Sequence, residues 1–262
     1  MAGQGREIEN TFSFSALPSK TFPFLQNRET LALLMKWSML GRLTAQAFSF
    51  DQCFSPYNSE TFAHCFFTDS VVMSSLRKVS AWGPLEKPIE SVKVEAVPCT
   101  KVSMDLFDPI YSCGILWPSG HIVKCFLENS PDYNKLREML LDEESEHYPV
   151  IRPEVRQEFL FRLFKHLCLG GELCQSEESI EPYMSTTKQI YKDLISVQKD
   201  PETKEISVVT KVFKVSAYNE SGLCFPGRSE EEEQTFAYLI VDPYKRHVTL
   251  IYHIYGIGDF SF

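Results

Sequence analysis

The sequence predicts a single α+β domain in which an antiparallel C-terminal sheet packs against helices. Strand-like runs with two Asp-Pro turns occupy the chain from residue 195 onward. Amphipathic helical patterns dominate the preceding region, and no internal repeat or convincing linker divides the 262 residues. Helices followed by a run of strands are typical of the α+β class. We expect one domain over residues 11–262, preceded by a disordered polar segment at residues 1–10.

The N-terminal part of the domain predicts an arm, a helix and a strand. Residues 12–24 alternate aromatic and polar side chains around two prolines, which indicates an irregular extended arm packed on the domain. Asn27 is a suitable N-cap for a helix that runs to about Leu40, and Gly41 is the expected stop. The alternating segment Leu43–Phe50 then predicts a strand.

The middle of the chain predicts a series of short elements. In order they are helices at residues 59–67 and 70–79, a break at Gly83-Pro84, a strand at 89–97, helical pieces at 103–111 and 132–141 around a turn at 118–120, and an acidic loop at 142–148. We expect much of this region to form loops and surface helices.

The segment Glu158–Gln175 is the most informative part of the sequence. Pro153 suits the first position of a helix that is predicted to end near Cys168, before Gly170-Gly171. Apolar side chains cover an arc of about 200° on its helical wheel, which predicts a central helix packed on two sides. The arc consists of Phe159, Leu160, Phe161, Leu163, Phe164, Leu167 and Cys168, and the opposite side carries Glu158, Arg162, Lys165 and His166.

The remaining residues predict a helix and four strands. The helix runs from about Pro182 to Leu194, and residues 195–199 and 206–218 flank a turn as in a hairpin. Two further strands, at residues 234–241 and 247–255, are nearly continuous in apolar side chains. Such strands are central or covered on both faces. We expect these four strands to form the antiparallel sheet.

Composition and charge argue against several classes of function. The chain has 44 % hydrophobic and 23 % charged residues, as in an ordinary globular protein. Its net charge of −9 argues against a nucleic-acid partner, because phosphate binding requires clustered Lys and Arg. The sequence shows no signal peptide and no run of the roughly 18–20 apolar residues that span a membrane. Its eight cysteines are scattered, as expected of reduced thiols in a cytosolic protein.

His166, Cys168 and Cys174 come closest to a chemical motif. A zinc site needs three or four converging ligands. His166 and Cys168 lie two positions apart on the predicted helix, and thus about 200° apart around its axis. We therefore expect Cys168 and Cys174 to be small core residues. His166 is expected on the polar face near the helix C-terminus, where the dipole favours its cationic form; a metal site is the alternative interpretation.

Two other histidine–cysteine pairs, His64/Cys65 and His121/Cys125, are adjacent or close in sequence. A nucleophile and its base are paired by spatial geometry, so these neighbours are weak candidates. Phosphate-binding loops, nucleophile elbows and metalloprotease motifs are absent from the sequence. We expect no catalytic, cofactor-binding or metal-binding residues and no enzymatic activity, and the sequence assigns no partner-binding residues.

Three further features have ordinary explanations. Asp105 and Asp108 would share a helix face, as solvated carboxylates often do. In the segment Ser119–Cys125, His121 follows a turn and precedes an apolar stretch; its expected role is capping or hydrogen bonding, with a functional surface as the alternative. The sequence Tyr255-Gly-Ile-Gly258 precedes no helix, which favours a loop at the end of a strand over a phosphate-binding loop.

Several blocks of the chain together form a family signature. They are Trp37–Arg42, Ala45–Phe48, Phe50–Gln52, Ser119–Cys125, Glu158–Gln175, Ile190–Leu194, Val212–Tyr218, and Glu233–Phe236 through Asp242-Pro243. From about Phe14 to Asp259, the chain closely resembles the family of cilia- and flagella-associated protein 300.

The resemblance implies a protein of the cytoplasm and of the axoneme in motile cilia and flagella. It would help to assemble or transport the outer and inner axonemal dynein arms. Its partners would be dynein preassembly factors such as the PIH-domain protein kintoun, and intraflagellar transport would carry it into the cilium. The resemblance supplies no catalytic residues. A stable structural component of the axoneme, or a thiol- or metal-dependent enzyme, is the alternative.

Overall fold

A computed structural model of the chain describes residues 11–79, 87–125, 133–227 and 232–260. These residues form an antiparallel sheet with helices packed against it, so the predicted α+β class is confirmed. The predicted disorder at residues 1–10 and the predicted break at Gly83-Pro84 lie outside the described residues.

The bounds of the elements are as follows. The helices are α1 (Arg28–Lys36), α2 (Ser59–Thr68), α3 (Ser70–Val79), α4 (Lys135–Leu141), α5 (Pro153–Gln157), α6 (Phe159–Leu169) and α7 (Glu181–Leu194). The strands are β1 (Phe14–Ala16), β2 (Leu43–Phe50), β3 (Ser91–Val97), β4 (Val197–Lys199), β5 (Ile206–Val208), β6 (Lys211–Asn219), β7 (Gly222–Phe225), β8 (Phe236–Asp242) and β9 (His247–His253). Short 3-10 helices lie at Pro23–Leu25, Pro56–Asn58, Asp105–Tyr111 and Tyr148–Val150. Within the described ranges, no helix is both long and apolar enough to cross a membrane.

The main sheet has the strand order β1-β2-β9-β8-β6-β3, and β7 also pairs with β6. All of these pairings are antiparallel. In β9, His253 lies opposite Leu43 of β2 on one side and Phe236 of β8 on the other. The prediction that the four C-terminal strands together form one sheet is wrong. The strands β4 and β5 form a separate sheet, while β1, β2 and β3 from the N-terminal half join β6, β8 and β9.

The predicted strand over residues 206–218 is interrupted at Thr210. The Ser196 amide donates to the Thr210 hydroxyl oxygen over 2.9 Å, and Thr210 is buried. Before this point β5 pairs with β4, and after it β6 pairs with β3 and β8. A side-chain to backbone bond of this kind competes with the regular ladder, so the hairpin and the main sheet separate here.

Both faces of the main sheet are covered. Phe236 and Tyr238 of β8 face a core that also contains residues of α1, α4, α6 and α7. The alternate residues Ala237 and Leu239 face a second core built with α2, α3 and the arm residue Phe14. Every residue of β8 is buried. The prediction that this strand and β9 are covered on both faces is confirmed.

The predicted helix from Pro153 to Cys168 is divided into α5 and α6 at Glu158. Glu158 has an extended ψ of 136° and is buried, contrary to its predicted position on a polar face. Its carboxylate accepts hydrogen bonds from the Thr100 amide at 3.1 Å and the Thr100 hydroxyl at 2.6 Å. A helical wheel of the segment around Glu158 cannot reveal this hydrogen-bond partner, because Thr100 belongs to a distant part of the chain.

The first helix is capped as predicted but ends early. The Asn27 side chain accepts a hydrogen bond from the Thr30 amide at 3.0 Å. The helix stops at Lys36 rather than near Leu40. Ser38 follows with a φ of 58°, which a helix cannot accommodate.

Ser38 is the centre of a junction between three segments, defined by Ser38, Gly171, Gly256 and Gly258. The Gly258 amide donates to the Ser38 hydroxyl oxygen at 2.9 Å. A Cβ atom added to Gly171 would lie 2.2 Å from the Ser38 carbonyl oxygen and 2.9 Å from that of Gly256. The two glycines near the C-terminus thus lie in a packed loop at the end of β9, and only glycine fits at position 171.

Candidate functional site

His166 lies in the interior, and its predicted position on a polar helix face is wrong. The residue is 8 % exposed. Its ring stacks on Phe236 of β8 with 3.7 Å between the ring centroids. The helical wheel considers α6 alone, whereas β8 covers the side of the helix that carries His166.

The imidazole of His166 has a hydrogen-bond partner at each nitrogen. Its Nδ1 lies 2.9 Å from Gln234 Oε1, and its Nε2 lies 2.9 Å from the Tyr238 hydroxyl. The Gln234 side-chain nitrogen donates to the carbonyls of His166 and Gly170 at 3.0 and 2.8 Å. Gln234 Oε1 is therefore the acceptor, Nδ1 carries the proton, and Nε2 accepts from Tyr238.

This environment keeps His166 neutral. Burial lowers the pKa of His166 to about 3, and the hydrogen bond with Gln234 opposes this shift only in part. The predicted cationic form is therefore wrong, because desolvation outweighs the attraction of the helix dipole. A histidine that is neutral near pH 7 and has both nitrogens occupied is a structural residue, not a general base poised near neutral pH.

His253 forms a second buried site on the other side of Gln234. Its Nδ1 donates to the Gln234 backbone carbonyl. Its Nε2 is buried and has no hydrogen-bond partner among the described residues. Burial lowers the pKa of His253 to about 4. The sequence analysis did not single out this histidine, since it lies within an almost wholly apolar strand.

The cysteines near His166 are packing residues. Cys168 is buried in the core with α4 and α7, and burial raises its pKa well above the ordinary value. Cys174 packs against Gly170. In the described part of the chain, no group of three or more His, Cys, Asp or Glu residues is arranged to hold a metal ion. The thiolate is the reactive form of cysteine, so Cys168 is poorly suited to nucleophilic chemistry.

The other histidine–cysteine pairs point to separate partners. His121 Nδ1 lies 2.9 Å from the Ser119 hydroxyl, whereas Cys125 donates to Glu138 Oε2 at 3.2 Å. On α2, His64 is exposed, and the half-buried Cys65 packs against the second core. Asp105 and Asp108 are solvent-exposed on a 3-10 helix. The structure brings none of these residues to the His166 network.

We expect alkylation to separate the exposed and buried thiols. Cys53 is exposed, whereas Cys168 is 1 % exposed and strongly shifted toward the thiol form. In the folded protein, iodoacetamide should modify Cys53 and leave Cys168 unmodified until denaturant is added. Peptide mass spectrometry over a time course measures both, with Cys53→Ser as the control. Equal rates at the two cysteines would contradict the packing assignment.

The chain matches a known family over most of its length. Residues 11–253 match the family model described as cilia- and flagella-associated protein 300. The chain belongs to this family. A protein of that name from Chlamydomonas reinhardtii is 36 % identical over 233 residues, which cover 85 % of this chain and 90 % of the relative. One from Paramecium tetraurelia is 31 % identical over 230 residues, covering 87 % and 88 %. No solved structure matches the chain.

The membership makes this a cilia- and flagella-associated protein, and the family is not named for an enzymatic activity. Three of the sequence blocks that carry the resemblance meet in space. The Gly171 amide donates to the Trp37 carbonyl at 2.8 Å, and Gln234 contacts Gly170. Residues 37–42, 158–175 and 233–236 therefore contribute to the interior of the fold, while Arg162, Lys165 and Glu233 within these blocks reach its surface.

Proposed function

We propose that this chain is a non-catalytic adaptor in the assembly or transport of outer and inner axonemal dynein arms. The match of residues 11–253 to a cilia- and flagella-associated family carries the proposal. The buried, protonated thiol of Cys168 and the neutral His166 support a binding role over catalysis. The adaptor would work in the cytoplasm and in the axoneme of motile cilia, with preassembly factors such as kintoun and the intraflagellar transport machinery.

Exposed aromatic side chains support a role in binding. Tyr57, Tyr244 and Trp117 are 99 %, 75 % and 59 % exposed. Aromatic residues are enriched in protein interfaces, where their large area contributes much of the binding energy. Trp117 adjoins the family block Ser119–Cys125, and Tyr111 of the preceding 3-10 helix is also exposed. These exposed aromatic side chains favour a functional surface at the segment Ser119–Cys125, which we keep as a proposal.

Loss of the protein is expected to leave cilia that are present but lack both outer and inner dynein arms. An assembly factor is required for the supply of dynein arms but not for building the microtubules of the axoneme. Electron microscopy of axoneme cross-sections from deficient cells measures the arms, and re-expression of the unaltered chain is the control. Cilia with normal arms in deficient cells would contradict the proposal.

Fractionation separates the adaptor from a stable axonemal component. An adaptor should be found mainly in the soluble extract of the cell body. A structural component should stay with the axoneme after salt extraction.

A further inference from the structure

A cavity of about 370 Å³ opens beside the His166 network, between α5, α6 and the strands β6 and β8. Tyr238 and His166 contribute to its wall, and Tyr148 and Phe161 add aromatic surface. Four cationic side chains also line it: Arg156, Arg162, Lys165 and Lys214. Glu143 and Glu233 are the acidic residues of the lining. Cations outnumber carboxylates here, although the whole chain has a net charge of −9.

Two of the cations are paired with carboxylates that lie closer to solvent. Arg162 contacts Glu95 at 2.9 Å, and their side chains are 17 % and 51 % exposed. Lys165 contacts Glu233 at 2.8 Å, with 24 % and 69 % exposure. Pairs with one exposed partner contribute little to stability, because water and salt screen them. Carboxylates from another molecule could therefore replace these glutamates at little cost.

Arg156 is held in place without a carboxylate. Its guanidinium lies 3.7 Å from the centre of the Tyr148 ring. It donates to the carbonyl oxygens of Met139 and Tyr148 at 2.7 and 2.6 Å. Among the described residues, no carboxylate lies within 4.0 Å of it. Neutral carbonyls and an aromatic ring thus fix a half-buried cation on the wall of the cavity.

The cavity continues along β6. A second cavity of about 140 Å³ shares Lys214 and Glu233 with the first and adds Lys93 and the carboxylates Glu95 and Glu232. Without Glu95 and Glu233, the two glutamates already paired with cations, five cations face two carboxylates, Glu143 and Glu232, across both cavities. We call the two together the basic groove. Its cations come from α5, α6, β3 and β6, so they are spread along the groove and do not converge on one point.

We propose that the basic groove binds an acidic segment of a partner protein, whose Asp and Glu side chains replace Glu95 and Glu233. Two of the groove's cations, Arg162 and Lys165, are already paired with glutamates, which shows that carboxylates fit them. Several cations spread over two joined cavities suit an extended chain with several carboxylates better than a single phosphate. The inference deepens the proposed adaptor function and rests on it for its biological setting.

Binding of a fluorescein-labelled oligoglutamate peptide, measured by fluorescence anisotropy, tests the groove. The unaltered protein should bind it with an affinity that falls as salt is added, because exposed charges are screened. The double variant Lys165→Gln/Lys214→Gln should weaken binding about tenfold, since each charge that contacts the ligand contributes up to about 1 kcal/mol. The control Lys188→Gln/Lys192→Gln removes two exposed lysines from α7 and should bind as tightly as the unaltered protein.

Three results would overturn the inference. The first is equal binding by the groove variant and the unaltered protein. The second is binding of an oligoglutamine peptide as tight as that of oligoglutamate. The third is a clear preference for a single-stranded oligonucleotide of equal length, which would assign the groove to another class of ligand. Circular dichroism of both double variants establishes that each is folded.

Rescue in deficient cells separates this inference from the proposed function. If the groove variant restores both dynein arms as well as the unaltered chain does, the groove is not the partner site, while the adaptor function stands. If cells without the protein have normal arms, the adaptor function fails, and the anisotropy result still decides whether the groove binds acidic peptides.

Discussion

Replacing Gly171 with alanine is expected to lower the free energy of unfolding by about 3 kcal/mol or more. The added Cβ would lie 2.2 Å from the Ser38 carbonyl oxygen and 2.9 Å from that of Gly256. Both obstacles are backbone atoms, so no side chain can rotate away. Relief requires separating the turn after α6 from the segments at Ser38 and Gly256, which would break the junction.

Gly114→Ala is the matched control for this prediction. Gly114 has a φ of 81°, and an added Cβ would meet nothing within 4 Å. The control therefore measures backbone strain alone, which costs about 1–2 kcal/mol for a non-glycine residue in this region. Urea unfolding monitored by circular dichroism gives the free energy for each variant. A Gly171→Ala protein as stable as Gly114→Ala would contradict the described packing.

Lowering the pH from 6.5 to 4.5 is expected to destabilise the fold by about 2–3 kcal/mol through each of His166 and His253. Burial lowers the pKa of these residues to about 3 and about 4. In the unfolded chain both take up protons near pH 6.5. The unfolded state then binds more protons than the folded state, so the free energy of unfolding decreases as the pH is lowered. The loss continues until the pH reaches the folded pKa values.

The variant His166→Gln tests the larger of the two contributions. The variant should be less stable at pH 7. Because glutamine cannot titrate, it should nevertheless lose less stability between pH 6.5 and 4.5. His64→Gln removes an exposed histidine from α2 and controls for a change at the surface. Urea unfolding at several pH values gives the dependence. The same dependence in His166→Gln and in the unaltered protein would argue against a buried neutral histidine.

Local patterns were sufficient for many of the elements. The strand Leu43–Phe50 and the helix Ser70–Val79 have the same bounds in the prediction and in the structure. Apolar continuity correctly placed β8 and β9 at the centre of the sheet. In each case the periodicity of the segment itself decides its conformation and its burial.

The errors concern contacts between distant segments. His166 and Glu158 are polar residues of the predicted helix, and their burial depends on Gln234, Tyr238 and Thr100. The pairing of β2 with β9 likewise joins residues about 200 positions apart. A wheel or an alternation pattern contains no information about such partners. A buried polar residue was thus indistinguishable from a solvated one.

The basic groove was missed for the same reason. Arg162 and Lys165 alone resemble the solvated face of an ordinary helix. Their convergence with Arg156 and Lys214 depends on the kink at Glu158 and on the passage of β6 beside α6. The net charge of −9 also gives no sign of a local cluster of cations.

The position of β9 affects how the protein can be made. This strand lies between β2, about 200 residues earlier in the chain, and β8, and it is synthesised after both of them. Until it emerges, β2 and β8 each have an open edge at the centre of the sheet. Unpaired strand edges of this kind promote aggregation. The two parts of the sheet, β1-β2 and β8-β6-β3, can therefore join only after β9 has been synthesised, and a protein cut short before residue 247 would keep those edges exposed.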